Sequence, residues 1–290
     1  MKLNHLILAI LTTALWGLTF VVIKLGLGEF PPLLFAALRF VVVALPAVFL
    51  VKRQGIAWKW IIAIGLTMGV LQFGLLYIGM YNGMPAGLSS LVLQSQAIFT
   101  LLLAAVMLKD RPTRQQWLGM GVSLSGMGAI AFESFAQARL VGLLLVLGAS
   151  LAWASGNITL KLANVANGFR LFIWMAIVPP LPLLGLSLWF ETGQWEALRQ
   201  LNGLGIGALL YTGLISSMLC FGFWGYLMQR YSPNVVAPFS LLVPVFGLLF
   251  SALLLGDSLG QLELIGGLLV FAGLALIVLA PRAASFKPQG

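Results

Sequence analysis

Long apolar runs separated by short polar stretches recur from one end of the chain to the other. An α-helix needs roughly 17 to 25 apolar residues to cross the ~30 Å hydrocarbon core of a lipid bilayer. Runs of this length predict an all-α integral membrane protein with ten transmembrane helices. The predicted spans cover about residues 4–25, 32–51, 58–80, 86–108, 115–132, 140–162, 171–190, 203–228, 234–255 and 262–280.

The composition supports a membrane protein. Of the 290 residues, 61% are hydrophobic and only 8% are charged, so a soluble domain would have too little polar surface to cover its core. Lys2 precedes the first run as in a signal peptide, but the run is too long and has no A-x-A-like cleavage site, so we expect the first span to be retained. The single cysteine, Cys220, excludes an internal disulfide.

The basic residues indicate how the chain is oriented. With the N-terminus in the cytoplasm, twelve of the sixteen Lys and Arg residues fall on that side and four on the other. Cytoplasmic loops are enriched in Lys and Arg, so both termini are predicted to be cytoplasmic. The net charge of +9 does not indicate a nucleic-acid partner, because the basic residues do not cluster on a soluble domain. The predicted partner is the lipid bilayer.

Two internal alignments indicate a duplication. One matches span one with span six at an offset of 137 residues, and the other matches spans four and five with spans nine and ten at an offset of 147. We predict two halves of five spans, residues 1–137 and 138–290. Since five is odd, the halves cross the membrane in opposite directions, and inverted repeats usually surround a central substrate cavity that opens to each side in turn. The aligned pairs are Thr13 with Ser150, Trp16 with Trp153, Phe20 with Asn157, Lys24 with Lys161, Phe99 with Phe246, Asp110 with Asp257, Gly119 with Gly266 and Gly126 with Gly273.

Four stretches of the sequence are distinctive: "WGLTFVVIKLGL…PPLLFAALRF", "NGMPAGLSSLVLQSQAIFT", "LAWASGNITLKL" and "APFSLLVPVFGLLFSALLLGDSL". In this order they resemble the EamA-type carriers of the drug/metabolite transporter (DMT) superfamily, over nearly the whole chain. Within it, the chain most resembles bacterial exporters of cysteine-pathway metabolites such as O-acetylserine and cysteine. The resemblance implies a secondary transporter of the cell inner membrane that exports small amino acids or related metabolites. Relatives export different amino acids and other small polar molecules on one scaffold, so the fold does not fix the substrate.

The cations of spans one and six are candidates for contact with a zwitterionic substrate. Inversion of the halves places Lys24 toward the outer mouth of a central pathway and Lys161 toward the inner mouth. Each lysine either meets a substrate carboxylate or extends its ammonium to the lipid headgroups. Phe20 and Asn157 occupy matching positions but differ in polarity, and an asymmetric ligand needs such asymmetry.

Aromatic residues are candidates for the cavity wall. Trp16 and Trp153 lie two helical turns deeper than the lysines, too far inside for an interfacial belt. They either line the cavity, as we favour, or pack between helices. Tyr77, Trp224 and Tyr226 are further candidates for the wall.

Arg39 is the most deeply placed cation, about seven residues past the start of span two. An arginine there needs a partner or a wet cavity, and the alternative is a structural hydrogen bond to backbone carbonyls near a helix break. No Asp or Glu lies in the middle of any span. The coupling ion we consider is a proton, although the sequence shows no buried carboxylate to carry it.

Span four is the most polar. On an ideal helix Ser89, Gln96 and Thr100 share one face, and Ser90 and Gln94 share an adjoining face. Glutamine amides cannot remain unpaired in lipid, so both face protein or water. An amide can donate to a carboxylate and accept from an ammonium, so we favour Gln94 or Gln96 as a substrate contact over hydrogen bonding between helices.

Other functions fit the sequence less well. We expect no enzyme, cofactor or metal site, because His5 is the only histidine, no GxSxG motif is present and zinc ligands are too few. A channel would call for a ring of charges or a filter-like loop. A phosphate ester would need clustered cations, and a lipophilic cation would need an intramembrane carboxylate. A small zwitterion or neutral polar molecule is the substrate class that remains.

Overall fold

The computed structural model places the apolar runs in helices. It describes residues 1–53, 55–109, 112–136, 139–163, 168–231, 236–258 and 260–279, and within these ranges it contains no strand. Seven helices are long and apolar enough to cross a membrane. Two shorter apolar helices, Pro32–Pro46 and Phe239–Leu255, accompany them. The chain is therefore an all-helical, multi-pass membrane protein, as the sequence predicts.

Ten helical segments, numbered here α1 to α10, correspond to the ten predicted runs, and a short helix, Gln194–Arg199, precedes α8. α5 is not among the seven long apolar helices, so the ten-span count stays a prediction. Asp110, one member of an aligned pair, lies outside the described residues. The segments are α1 (Leu3–Gly26), α2 (Pro32–Leu50), α3 (Trp58–Tyr81), α4 (Ala86–Leu93 and Gln96–Met107), α5 (Arg114–Ala136), α6 (Leu140–Ala163), α7 (Gly168–Met175 and Pro180–Phe190), α8 (Gly203–Leu210, Tyr211–Leu219 and Cys220–Arg230), α9 (Ala237–Leu241 and Leu242–Leu255) and α10 (Gln261–Val278).

Two of the segments contain a π-helical stretch at corresponding positions. These stretches are Gly65–Leu71 in α3 and Tyr211–Leu219 in α8. The offset of 147 residues maps the first onto residues 212–218, within the second. A π-turn widens the helix and is frequent at functional sites. The structure therefore repeats a rare backbone feature at the spacing found in the sequence.

Glycines bring α5 and α10 into close contact. A Cβ atom added to Gly126 would lie 2.5 Å from the Gly266 carbonyl oxygen, and one added to Gly119 would lie 2.6 Å from the Gly273 carbonyl oxygen. The backbones approach this closely only because these positions have no side chain. The earlier glycine of α5, Gly119, therefore faces the later glycine of α10, Gly273, and Gly126 faces Gly266. The two helices are antiparallel.

The α5–α10 interface is symmetric under the 147-residue offset found in the sequence. The 147-residue offset converts the Gly119–Gly273 contact into the Gly266–Gly126 contact. It also maps Ser123 onto Val270, and the Ser123 hydroxyl donates a hydrogen bond of 3.3 Å to the Val270 carbonyl. A pseudo-two-fold axis that exchanges the halves would pass through this hydrogen bond.

The most extensive of the remaining helix contacts obey the same exchange. α1 packs on α9, and its counterpart α6 packs on α4. The α3–α6 and α2–α8 contacts correspond to α8–α1 and α7–α3, respectively. The pairs α2–α7, α4–α9 and α5–α10 map onto themselves. These contacts have the symmetry that a duplicated chain would give, whereas the α1–α4 and α9–α10 contacts have no counterpart of comparable size among the described residues.

Polar contacts tie helix ends together at the face of the bundle where α1 ends, called here the far face. The other face, where α1 begins, is called the N-terminal face. At the far face, the Glu191 carboxylate accepts hydrogen bonds from the backbone N–H groups of Leu33 and Leu34, which caps α2. A salt bridge of 2.6 Å joins Arg139 to the buried Glu263, linking the starts of α6 and α10. These contacts join α7 to α2 and α6 to α10 at one face.

We predict that Gly126→Ala lowers the melting temperature of the purified protein by about 3–10 °C, because overpacking an interface costs ~1–3 kcal/mol. The measurement is thermal unfolding in detergent followed by tryptophan fluorescence. Gly128→Ala is the matched control on the same helix, because no atom lies within 4 Å of a Cβ added there. Equal melting temperatures for the two variants would contradict the packing role of Gly126.

Candidate functional site

A central cavity of about 640 Å³ lies among the helices. Its described lining comes from α1, α2, α3, α4, α6, α7, α8 and α9, and none of it comes from α5 or α10. Most of the lining is aliphatic or aromatic, with a few polar side chains. A pocket of this size with few polar groups is typical of a small-molecule binding site.

The cavity brings together seven of the twelve residues predicted from the sequence. They come from four helices that are distant in sequence, so the tertiary fold assembles them. The seven residues are Trp16, Phe20, Arg39, Gln94, Gln96, Trp153 and Asn157.

The two predicted lysines do not line the cavity. The Lys24 ammonium donates a hydrogen bond of 3.3 Å to the Met80 carbonyl oxygen and so joins the ends of α1 and α3. Lys161 is exposed in the last turn of α6. The paired positions of the two lysines therefore follow the repeat without placing both side chains at the substrate pathway.

Three other predicted residues also lie outside the cavity lining. Ser89 is fully buried between helices, and Tyr77 is fully buried behind Arg39, whose guanidinium it contacts. Tyr226 lies at the N-terminal face, where its ring packs edge to face on His5 at 5.6 Å between centroids. The face that Ser89 was predicted to share with Gln96 does not exist in the fold, because α4 is interrupted between them.

The interruption of α4 explains why both glutamines line the cavity. On a continuous helix Gln94 and Gln96 would point roughly 200° apart. α4 instead ends at Leu93 and resumes at Gln96, with ψ angles of −11° and −14° at Gln94 and Ser95. The tighter turn brings the two amides to the same cavity, and the Gln94 amide lies 3.5 Å from the Ser240 carbonyl oxygen.

A polar cluster links α6 to α4 at the cavity wall. The Asn157 amide nitrogen donates to the Gln96 amide oxygen at 2.8 Å and lies 3.2 Å from the Thr100 hydroxyl. The Thr100 hydroxyl in turn donates to the Gln96 amide oxygen at 3.4 Å. Within the described part of the chain, the Asn157 amide oxygen and the Gln96 amide nitrogen have no hydrogen-bond partner. The cluster therefore keeps one acceptor and one donor for a ligand or water.

Aromatic side chains form the wall between α1, α7 and α8. The Trp16 indole N–H donates a hydrogen bond of 3.1 Å to the Ser216 carbonyl oxygen in the π-helical stretch of α8. Its ring lies 5.2 Å from the rings of Phe221 and Trp224. Phe172 stacks on Phe221 at 3.9 Å. These contacts hold the indole of Trp16 in a fixed position beside the cavity.

Arg39 reaches the cavity from α2 and is only 2% exposed. Its terminal nitrogens donate to the Tyr77 hydroxyl at 3.2 Å and to the Ser217 hydroxyl at 2.9 Å. Its guanidinium carbon lies 3.9 Å from the centroid of the Phe73 ring. The partners are therefore side chains, rather than the backbone carbonyls of the alternative interpretation.

Sequence reasoning missed several lining residues. Gln72 is an amide in the middle of an apolar run, which is the signal that singled out Gln94, and it could have been found in the same way. Phe73, Phe172 and Phe221 have no such signal, because a phenylalanine in an apolar run is equally suited to lipid, core or cavity. Trp224, considered for the wall from the sequence, does line the cavity.

Comparisons with known proteins agree with this architecture. A model of the EamA-like transporter family matches residues 3–132 and again residues 140–279. The chain is 40% identical over 283 residues to a "Probable amino-acid metabolite efflux pump" of Salmonella typhimurium, covering 95% of each chain. It is 38% identical over 285 residues to a protein of the same description from Escherichia coli, again covering 95% of each chain. One solved crystal structure superimposes with a TM-score of 0.64 at 16% identity, covering 99% of this chain and 100% of that one, which shows a shared fold.

We predict that Asn157→Ala reduces export about ten-fold or more while membrane abundance stays near that of the wild type. The substitution removes the 2.8 Å hydrogen bond to the Gln96 amide oxygen, which then keeps only the 3.4 Å bond from Thr100, and it removes a cavity acceptor. The loss of a hydrogen bond at a buried polar group costs ~1–3 kcal/mol. Efflux from overproducing cells and immunoblotting of their membranes provide the two readouts. Ser155→Ala on the same helix is the control, because the Ser155 hydroxyl bonds only to the Leu151 carbonyl. Parallel loss of abundance and export in Asn157→Ala would assign Asn157 to packing instead.

Proposed function

The chain belongs to the EamA-like transporter family of the DMT superfamily, and on this premise we propose that it exports small amino acids or related metabolites across the cell inner membrane by alternating access. Cysteine-pathway metabolites such as O-acetylserine are the substrates we favour within that class. The observation that carries the proposal is the central cavity. It has aromatic walls, and the Asn157 amide oxygen and the Gln96 amide nitrogen have no hydrogen-bond partner among the described residues. Relatives described as amino-acid metabolite efflux pumps support the direction and the class of substrate.

We propose that the transporter consists of two inverted repeats of five spans, residues 1–137 and 138–290. Three observations support it. The family model matches the chain twice, the π-helical stretches of α3 and α8 occupy corresponding positions, and the antiparallel α5–α10 contact is symmetric about Ser123 and Val270. Each observation is independent of the others, because one concerns sequence, one backbone geometry and one packing.

Alternating access is supported by the different construction of the two faces. At the far face, the Lys24–Met80 hydrogen bond lies directly beyond Ile23, one of the last lining residues of α1. At the N-terminal face, the lining continues to Leu160, which is as close to the end of α6 as Ile23 is to the end of α1. Leu160 is 37% exposed, whereas Ile23 is only 1% exposed. We propose that the cavity opens at the N-terminal face in this state, and that the far-face contacts break in the opposite state.

The chemistry of the cavity suits a small polar metabolite. The free acceptor of Asn157 fits an ammonium or hydroxyl group, and the free donor of Gln96 fits a carbonyl or carboxylate oxygen. Aromatic faces of Trp16 and Trp153 favour the apolar part of a substrate or its ammonium group. The choice of O-acetylserine within this class rests on the sequence resemblance.

The described lining of the cavity contains no Asp or Glu. A proton, the coupling ion that we consider, would therefore be carried by a group outside this lining. Glu263 is buried, but it is engaged by Arg139 and belongs to the far-face contacts. Its position fits a role in closing that face better than a role in substrate binding.

We expect purified protein in proteoliposomes to catalyse counterflow of labelled O-acetylserine against an internal pool of the same compound. A carrier saturates and exchanges, so the initial rate should level off with substrate concentration, and labelled substrate should accumulate transiently. Protein-free liposomes are the control. A flux that rises linearly with concentration and shows no transient accumulation would indicate a channel and contradict the proposal.

The proposed orientation is tested by labelling with a membrane-impermeant maleimide. In a Cys220→Ala background, we expect Glu196→Cys to react in intact cells and Lys52→Cys to react only after permeabilisation, because both side chains are exposed and lie at opposite faces. Labelling of both variants after permeabilisation controls for expression and reactivity. Reaction of Lys52→Cys in intact cells would contradict cytoplasmic termini.

A further inference from the structure

Arg39 is the only charged residue in the described lining of the cavity. The only salt bridge found among the described residues joins Arg139 to Glu263 at the far face, well away from Arg39 in the fold. The hydrogen bonds of the Arg39 guanidinium go to the neutral hydroxyls of Tyr77 and Ser217. The cavity therefore carries one positive charge that no described carboxylate of the chain neutralises.

The guanidinium also has unused hydrogen-bonding capacity. Each terminal nitrogen carries two N–H groups, and each uses one of them on a hydroxyl. The Nε atom is buried and has no hydrogen-bond partner. An arginine presents its N–H groups in a planar fork that matches the two oxygens of a carboxylate.

The position of Phe73 explains how the empty site tolerates this charge. The ring of Phe73 covers the guanidinium at 3.9 Å, and its aromatic face partly compensates a buried cation. Phe73 itself lines the cavity, so a rotation of this one side chain would present the guanidinium to a ligand. A carboxylate would then replace a weak cation–π contact by a charge-assisted hydrogen bond.

We propose that Arg39 is the carboxylate-recognition residue of the cavity and sets the charge class of its ligands. Accepted ligands carry a single carboxylate, either as zwitterions or as monoanions, because one buried cation balances one negative charge. Compounds with a second positive charge are excluded, since the described lining offers no acidic partner for a cationic side chain. This inference rests on the proposed function in taking the cavity as the substrate site, and it adds the group by which the substrate is selected.

The inference is tested by binding rather than by transport. The purified protein is titrated in detergent with L-amino acids and O-acetylserine, each paired with its carboxamide, and stabilisation is measured as a shift in melting temperature. We expect stabilisation by neutral and anionic acids, an apparent affinity about ten-fold or more weaker for each carboxamide, and none for lysine or arginine.

Variants of Arg39 separate the charge from the shape of the side chain. Arg39→Gln should remove the preference for the acid over its carboxamide. Arg39→Lys should keep the preference at reduced affinity, because an ammonium supplies the charge without the planar fork. Arg199→Gln is the matched control, since it removes an exposed arginine that lies outside the cavity lining, and its acid preference should equal that of the wild type.

The comparison of acid with carboxamide on the wild type needs no variant, so the inference stays testable even if Arg39→Gln fails to fold. Equal stabilisation by acids and carboxamides, stabilisation by lysine or arginine, or no stabilisation by any acid would overturn it. These outcomes are distinct from failure of the proposed function. Saturable counterflow without a carboxylate preference would support the proposed transport and contradict the role of Arg39. A carboxylate preference that depends on Arg39, without counterflow, would support the role of Arg39 and contradict the proposed transport.

Discussion

The scarcity of water in the hydrocarbon core constrains every polar group of this chain. A polar side chain in a membrane-embedded bundle must find a partner in the protein or face a wet cavity. Asn157, Gln96 and Thr100 satisfy most of their hydrogen-bonding capacity among themselves, and Arg39 relies on two hydroxyls and an aromatic ring. The donors and acceptors that these four residues leave without a partner lie at or beside the central cavity. For these four residues, the hydrogen-bonding capacity that the protein itself does not use is therefore found at the cavity.

The scaffold is close to symmetric, whereas its polar content is not. Close glycine contacts and backbone features recur at the 147-residue offset, as the Gly119–Gly273 and Gly126–Gly266 contacts and the two π-helical stretches show. Polar side chains differ between matching positions, since Phe20 stands where the other half has Asn157. A symmetric scaffold gives two equivalent ways to pack the helices, and asymmetric side chains give a ligand one orientation. The combination fits the carrier with alternating access that we propose.

Packing and binding are carried by different helices. α5 and α10 contact each other through Gly119, Gly126, Gly266 and Gly273 and contribute nothing to the described cavity lining. Of the eight helices that contribute to this described lining, five have breaks or widened turns, namely α3, α4, α7, α8 and α9, and α1, α2 and α6 are uninterrupted. Irregular backbone costs hydrogen bonds in lipid, so it is tolerated where protein or water supplies partners. The regular α5–α10 pair therefore packs apart from the cavity, and the irregular backbone lies beside it.

The sequence by itself determined the helical membrane architecture, the 147-residue offset that the π-helical stretches and the α5–α10 contacts also follow, and seven residues of the cavity lining. These follow from local physics, because the bilayer sets the length of an apolar run and polar residues such as Gln94, Gln96 and Asn157 cannot face lipid. Only the tertiary structure decided that Lys24 binds the Met80 carbonyl rather than the cavity, that a break at Gln94 and Ser95 unites two amides, and that Phe73 covers Arg39. Which side of a helix meets a neighbour depends on its rotation and its interruptions. Those are set by contacts between residues far apart in the chain, and spacing along one helix does not reveal them.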